Sequence, residues 1–341
     1  MPETIVVMTP NWLGDAVLAL PAIGAVRRHH PGARLVAASR GAVADLFGLV
    51  PGVDDVVALP AGLRQEAAAL AGARADVAIL LRNSFASAWA ARRAGIPERW
   101  GYGAEWRGGL LTRSIRRPRA LLHMAEYYAR LVGALGMPAG DSPPAIAVPA
   151  GDRDRAGALL DRRGAPPGAL LVGMAPGAAN SGAKQWPPGR FGEVARRLHE
   201  RRGVVSVLVG TSDDRDACRR AGAGPATIDL AGETDLRLLA GLMARLRAFL
   251  TNDSGAMHLA AAAGLPVTAI FGPTRERETA PLASASATAA PHAILTGDAW
   301  CRPCMLRECP FDHRCMTRID PGRVAAAVER QIESQPPRAD A

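Results

Sequence analysis

The sequence has almost no lysine. Of its 41 cationic side chains, 40 are arginine and one is lysine, Lys184. Aromatic residues are scarce as well, at 4%, so the cores must rest on Ala, Leu and Val within a hydrophobic content of 48%. No apolar run approaches the roughly 20 residues that span a bilayer. Met1-Pro2-Glu3-Thr4 carries no basic region and leads straight into Ile5-Val6-Val7-Met8. That start reads as a first strand and not as a secretion signal, so a cytoplasmic protein is expected. No basic tail stands apart and no aromatic-rich nucleic-acid motif accompanies the charge, so nucleic acid is not the expected partner.

What is present points to anions. The formal charge is +9 and the pI about 10.3. That balance suits acidic headgroups or a phosphorylated substrate. Most arginine pairs, such as Arg27-Arg28 and Arg196-Arg197, read as solvated surface. The single lysine is different, because an ammonium is a compact point charge on a flexible stem where a guanidinium is a planar fork. It reads as drift in an arginine-rich chain or as a charge aimed at a crowded phosphate oxygen.

At 341 residues the chain exceeds the size at which single cores divide. Short apolar runs alternate with amphipathic stretches, the α/β pattern. Strands are predicted at 5–8, 34–38, 55–59 and 77–81, with helices near 15–29, 41–49 and 62–73. Pro138 to Pro149 is rich in Pro, Gly and Ala and reads as a linker. The pattern restarts with strands at 170–174, 204–209, 227–230, 248–251 and 267–271. Helices near 190–202, 213–222, 234–245 and 255–263 follow them. The expectation is two Rossmann-like, doubly wound domains facing a central cleft. They cover 1–150 and 151–318, followed by a terminal helix at 319–333 and a flexible tail at 334–341. Ligands then belong at the carboxyl ends of the strands.

Three loops carry chemistry. The first is Thr9-Pro10-Asn11-Trp12-Leu13-Gly14-Asp15. Asp15 reads as a helix cap or as a general base for an attacking hydroxyl. Trp12 reads as a cleft wall or as ordinary packing. The second loop runs from Met174 to Pro187 and holds Asn180 and Lys184. Its small residues let the backbone approach a ligand, and Lys184 reaches toward a phosphate. It lacks the Gly-Lys-Ser/Thr ending of a Walker loop. The third loop, Thr251-Asn252-Asp253-Ser254-Gly255-Ala256-Met257-His258, ends a buried strand and starts a helix. Free backbone N–H groups and the helix dipole make such a start an anion site. Asp253 suits a sugar hydroxyl; His258 reads as a further site residue or a core histidine.

Taken in order, these loops resemble the ADP-heptose:lipopolysaccharide heptosyltransferases, glycosyltransferase family 9, and the heptosyltransferase II branch in particular. The resemblance also rests on Arg82-Asn83-Ser84-Phe85-Ala86-Ser87-Ala88, Gly95-Ile96-Pro97 with Gly101-Tyr102, Ala231-Gly232-Glu233-Thr234 and Phe271-Gly272-Pro273-Thr274. It implies a GT-B fold, with acceptor on the first domain and nucleotide sugar on the second. It implies inverting transfer of heptose from ADP-L-glycero-D-manno-heptose to the lipopolysaccharide inner core. By motif position Asp15 is the base and Lys184 meets the diphosphate. Asn180, Ser254, Gly255, Met257 and His258 belong to the donor site, Asp253 faces the donor sugar, and Thr234 falls at the adenine. Asn11, Trp12, Arg82, Asn83 and Ser84 fall on the acceptor side. No cofactor is required for catalysis in this reading. The partners are ADP-heptose, the inner-core acceptor and, peripherally, the anionic cytoplasmic face of the inner membrane. The alternatives are another sugar donor, a protein acceptor, or a non-catalytic nucleotide-sugar binder.

Four of the five cysteines cluster as Cys301-x2-Cys304-x4-Cys309-x5-Cys315, with His313 inside; Cys218 stands alone. Persistent disulfides are disfavoured in cytosol. The spacing suits a tetrahedral structural metal, zinc before iron, with reduced thiols and disulfides as the alternatives.

Overall fold

The computed structural model describes residues 2–179, 181–222, 226–283 and 292–335. The chain forms two compact units, Met1–Ala147 and Val148–Ala341. In the first unit the elements are β1 (Thr4–Met8), α1 (Leu13–Leu18), α2 (Leu20–His29), β2 (Arg34–Arg40), α3 (Ala44–Phe47), β3 (Asp55–Leu59), α4 (Leu63–Gly72), β4 (Val77–Leu80), α5 (Phe85–Arg93), β5 (Glu98–Tyr102), β6 (Arg113–Ile115) and α6 (Met124–Ala134). The second has α7 (Ala150–Arg162), β7 (Leu171–Ala175), α8 (Pro188–Arg202), β8 (Val205–Leu208), α9 (Arg215–Ala221), β9 (Thr227–Asp229), α10 (Leu236–Met243), β10 (Ala248–Asn252), α11 (Gly255–Ala262), β11 (Val267–Phe271), α12 (Glu276–Thr279), β12 (Ala293–Thr296), α13 (Arg314–Thr317) and α14 (Pro321–Glu333).

Each unit holds one six-stranded sheet. The orders are β3-β2-β1-β4-β5-β6 and β12-β11-β10-β7-β8-β9. All strand pairs are parallel, as in Val6 opposite Val36 and Leu250 opposite Met174. Helices cover both faces of such sheets, so their central strands are apolar without alternation. β4, β7, β10 and β11 are buried along their whole length for that reason. α8 shows the complementary pattern: Phe191, Val194, Ala195 and Leu198 repeat at helical spacing and bury one face. It stops at Gly203, whose φ of 65° is left-handed. Asp320 caps α14 by accepting from Arg323 N at 2.9 Å, and Pro321 occupies its first turn.

Several predicted elements differ. The helix expected near 15–29 is two, because Pro21 enters the first turn of α2 and has no N–H to continue α1. Residues 41–49 hold a 3-10 turn and the four-residue α3. β5, β6 and β12 were not predicted. β6 is Arg-Ser-Ile and carries no apolar run to find. The tail beyond residue 335 lies outside the described residues.

Candidate active site

In an open parallel sheet, two adjacent strands send their connections in opposite directions at one place, and a crevice opens beyond their carboxyl ends. That place lies between β1 and β4 in the first unit and between β7 and β10 in the second. The loops singled out from the sequence leave those four strands.

In the first unit Asp15 is the third residue of α1 and not its cap. Trp12 holds the cap position, with no side-chain cap bond among the described residues. Asp15 is half-buried. It lies near Tyr128, whose hydroxyl pKa is raised by burial and further by the Asp15 charge. Trp12 is 61% exposed, so packing does not account for it. Across the crevice, Arg82 Nη1 donates to Asn11 Oδ1 at 3.2 Å. The same guanidinium pairs with Glu66, which is wholly buried and pairs also with Arg40. Burial lowers the pKa of Arg82 and the Glu66 carboxylate opposes that shift.

Ser84 Oγ accepts from Ser87 N at 3.2 Å, so Ser84 caps α5. Asn83 Nδ2 donates to the Tyr127 hydroxyl at 2.6 Å. Both residues are tied down by Arg107, a side chain with no exposure at all. Its Nε donates to Tyr102 O at 2.8 Å, its Nη2 to Asn83 Oδ1 at 3.0 Å and its Nη1 to Ser87 Oγ at 3.2 Å. Nη1 also donates to Arg82 O. Burial pulls the Arg107 pKa down to about 10. Glu66 and Arg107 were invisible in the sequence. Their partners lie 16 and 25 residues away, and nothing local marks them.

In the second unit Lys184 ends a 3-10 turn, Gly182–Lys184. Its Nζ lies 2.8 Å from Asp253 Oδ2. Thr274 Oγ1 donates to that same oxygen at 2.8 Å. Asp253 is 6% exposed and the lysine side chain 29%. Asp253 and Ser254 lead into α11, with Ser254 at the cap position. The Ser254 hydroxyl lies 3.0 Å from Thr251 Oγ1 and does not cap the helix. The first N–H groups of α11 thus have no side-chain cap among the described residues, the arrangement that binds anions. Met257 and His258 are buried, at 0% and 4% exposure. Both side chains belong to the core, so the donor-site roles predicted for Met257 and His258 do not fall to the Met257 side chain or the His258 ring at this helix start. Asn180 lies outside the described residues.

The two loops are joined by an amide that sequence reading left unassigned. Asn252 is wholly buried. Its Nδ2 donates to Pro176 O and Gly177 O, each at 3.0 Å, and its Oδ1 accepts from Trp186 N at 3.0 Å. One side chain therefore grips both ends of the loop that carries Lys184. A Cβ at Gly177 would meet Asp214 Oδ1 at 1.9 Å, so any larger residue here would displace the carboxylate that accepts from Thr211 N. On the β8 side the same loop borders a cavity of about 290 Å³ lined by Ala178, Ala179, Thr211, Asp213 and Asp214. Thr234, half-buried, lies in the loop after β9.

The cysteines are free thiols. Cys301, Cys304, Cys309 and Cys315 line one small cavity of about 20 Å³. Among the described residues no group of three or more His, Cys, Asp or Glu is placed to hold a metal ion. His313 is turned away to a backbone carbonyl, with Nε2 2.5 Å from Ala183 O. Burial raises the Cys315 thiol, and the neighbouring cysteines add to it. The loop's visible role is as a brace. Arg307 O accepts from Ala183 N at 2.9 Å and from Ser181 Oγ at 3.1 Å. Arg302 Nε donates to Gly272 O at 2.6 Å. It thus supports the turn bearing Lys184 and the loop bearing Thr274.

The model of glycosyltransferase family 9 (heptosyltransferase) matches residues 64–314. That span includes Arg82, Lys184 and Asp253 and begins after Asp15. Lipopolysaccharide heptosyltransferase 2 of Escherichia coli K12 is 31% identical over 300 residues, covering 82% of this chain and 85% of the relative. Lipooligosaccharide heptosyltransferase 2 of Haemophilus ducreyi is 30% identical over 300 residues, covering 82% and 86%. The solved structure of E. coli ADP-heptose lipopolysaccharide heptosyltransferase II superposes with a TM-score of 0.80 at 26% identity, over 97% of this chain and 98% of that one. The paired parallel sheets are the GT-B arrangement of those enzymes.

Proposed function

We propose, for a chain that belongs to glycosyltransferase family 9, the heptosyltransferases, that it transfers heptose from ADP-L-glycero-D-manno-heptose to the inner core of lipopolysaccharide with inversion at the anomeric carbon. The observation that carries this reading is the Lys184–Asp253 pair at the uncapped start of α11, at the point where the second sheet reverses.

In this reading Asp15 takes the proton from an acceptor hydroxyl. The oxygen attacks the anomeric carbon from the face opposite the diphosphate. The bond from that carbon to the phosphate oxygen breaks, and its electron pair leaves with ADP. The negative charge that develops is met by the Lys184 ammonium and the N-terminus of α11. The diphosphate competes with Asp253 for Lys184. Asp253, relieved of its partner but still bonded to Thr274, turns to the sugar hydroxyls. Asp213 and Asp214 both border the cavity beside the glycine-rich loop, and one of the two is assigned to the ribose, with Thr234 beside the adenine. Asn11, Trp12, Arg82, Asn83 and Ser84 form the acceptor side. The catalytic steps use no resident cofactor, and the cysteine loop acts by holding the Lys184 turn.

No helix among the described residues is long and apolar enough to cross a membrane. We place the enzyme at the cytoplasmic face of the inner membrane, in peripheral contact with it. The test is a donor screen. ADP release is read from purified protein against a panel of nucleotide sugars and truncated lipopolysaccharides. Release with ADP-heptose and an inner-core acceptor alone supports the assignment; equal release with other nucleotide sugars removes it.

A further inference from the structure

Five of the six exposed large apolar side chains of the first unit lie beyond the carboxyl ends of its strands, Trp12, Trp106 and Leu121 in connections and Leu63 and Phe85 at the first residue of the next helix. Trp12 follows β1, Leu63 follows β3, Phe85 follows β4, Trp106 follows β5 and Leu121 follows β6. All strands are parallel, so this is the carboxyl end, where Asp15 also stands. Only Val56 lies within a strand.

Trp106 is the extreme case, at 99% exposure. Glu105 and Trp106 both have left-handed backbones, with φ of 50° and 60°. A bulky residue there is an outlier that surrounding structure must impose. The next residue imposes it: Arg107 is wholly buried and holds Tyr102 O, Ser87 Oγ and Asn83 Oδ1. A fixed, strained turn therefore drives an indole into solvent. The segment leaving β6 runs beside it, since Gly103 N donates to Ile115 O at 2.8 Å. That segment exposes Arg116, Arg117 and Arg119, then Leu121 at 73%. From Gly103 to His123 the chain has five arginines and one acid, Glu105. An exposed indole and leucine flanked by arginines are what an anionic interface takes up: rings at headgroup depth, guanidinium groups among phosphates.

The geometry points to a docking tip for an anionic phospholipid surface, formed by Trp106, Leu121 and Arg116, Arg117 and Arg119. It rests on the reading that the acceptor is a membrane glycolipid, and it names the surface that meets the membrane. Arg107 ties the turn bearing Trp106 to Asn83 and Arg82 O, on the acceptor side of the proposed function.

The test is flotation of the full chain on phosphatidylcholine vesicles with and without phosphatidylglycerol. The wild type floats with the anionic vesicles and not with the neutral ones, and ~0.5 M salt releases it. The double variant Trp106→Ser, Leu121→Ser keeps the wild-type melting temperature and binds about tenfold more weakly. Its turnover falls about as much on acceptor embedded in vesicles and stays unchanged on a delipidated, soluble acceptor. Wild-type chain that ignores anionic vesicles overturns the proposal, as does a double variant that floats equally well. Equal loss on both acceptors also overturns it and moves the segment into the acceptor's sugar site. Wild type that floats yet transfers no heptose to either acceptor leaves the docking tip standing and removes the functional reading.

Discussion

The crevice between β1 and β4 and the crevice between β7 and β10 are made by the same topology and held by opposite means. In the first unit a buried ion pair does the holding: Arg82 with Glu66, the latter wholly out of water. In the second a neutral amide does it, Asn252, and the ion pair beside it stands partly open, with Lys184 29% exposed. Buried charges are costly to separate, so the first arrangement is static. A partly open pair costs little to exchange, so the second can trade Asp253 for a ligand anion. One crevice is built to keep a loop still around Asp15. In the proposed function the other releases its ammonium to the donor diphosphate.

The variants that would break this contrast differ in expected size. Asp15→Asn has the largest effect: turnover falls by about 10²–10⁴-fold while ADP-heptose affinity stays at the wild-type level. Near-normal steady-state rates would end the base assignment. Lys184→Ala comes next. Loss of the charge that meets the departing ADP slows transfer by about 10²–10³-fold, and donor KM rises with it. Lys184→Arg is also impaired, because the fork does not sit where the ammonium sat; an arginine that restores full activity would reduce Lys184 to a generic cation.

Glu66→Gln tests the static side. It leaves Arg82 buried without its counter-charge, at a cost of about 3 kcal/mol of stability in a denaturant titration. Acceptor KM rises and donor KM does not. Asn252→Asp tests the other side at about 1–3 kcal/mol, because a carboxylate cannot donate to Pro176 O and Gly177 O. Here donor KM rises and acceptor KM does not. If either variant moves both constants equally, the two crevices are not separable. The smallest expected effect is that of EDTA, which changes the transfer rate by less than about twofold, since Lys184 and the helix start carry the charge that a divalent ion would otherwise meet.

Much of this was legible in the chain. Continuous apolar runs marked the central strands, because a strand buried on both faces needs no polar side. The three loops were legible because each follows such a run and carries Asp15, Lys184 or Asp253. Two of the four edge strands, β6 and β12, and β5 beside β6 were not: β6 reads Arg-Ser-Ile and owes its pairing to β5 alone. The supports of the site were equally hidden. Asn252 looked like part of a helix-start motif, and only the fold brings it to Pro176 and Trp186, 76 and 66 residues away. Arg107 was one arginine among 40 until burial set it apart. The cysteine spacing suggested a metal. The structure turns His313 to Ala183 O and groups no three ligands among the described residues.

The division of labour between the crevices is tested most directly by calorimetric titration of ADP into Asp15→Asn and Lys184→Ala side by side. The account predicts a wild-type Kd for the aspartate variant and a Kd raised at least about tenfold for the lysine variant, since one charged contact to phosphate is lost. Equal affinities in the two variants, or weakening at Asp15 alone, would contradict it.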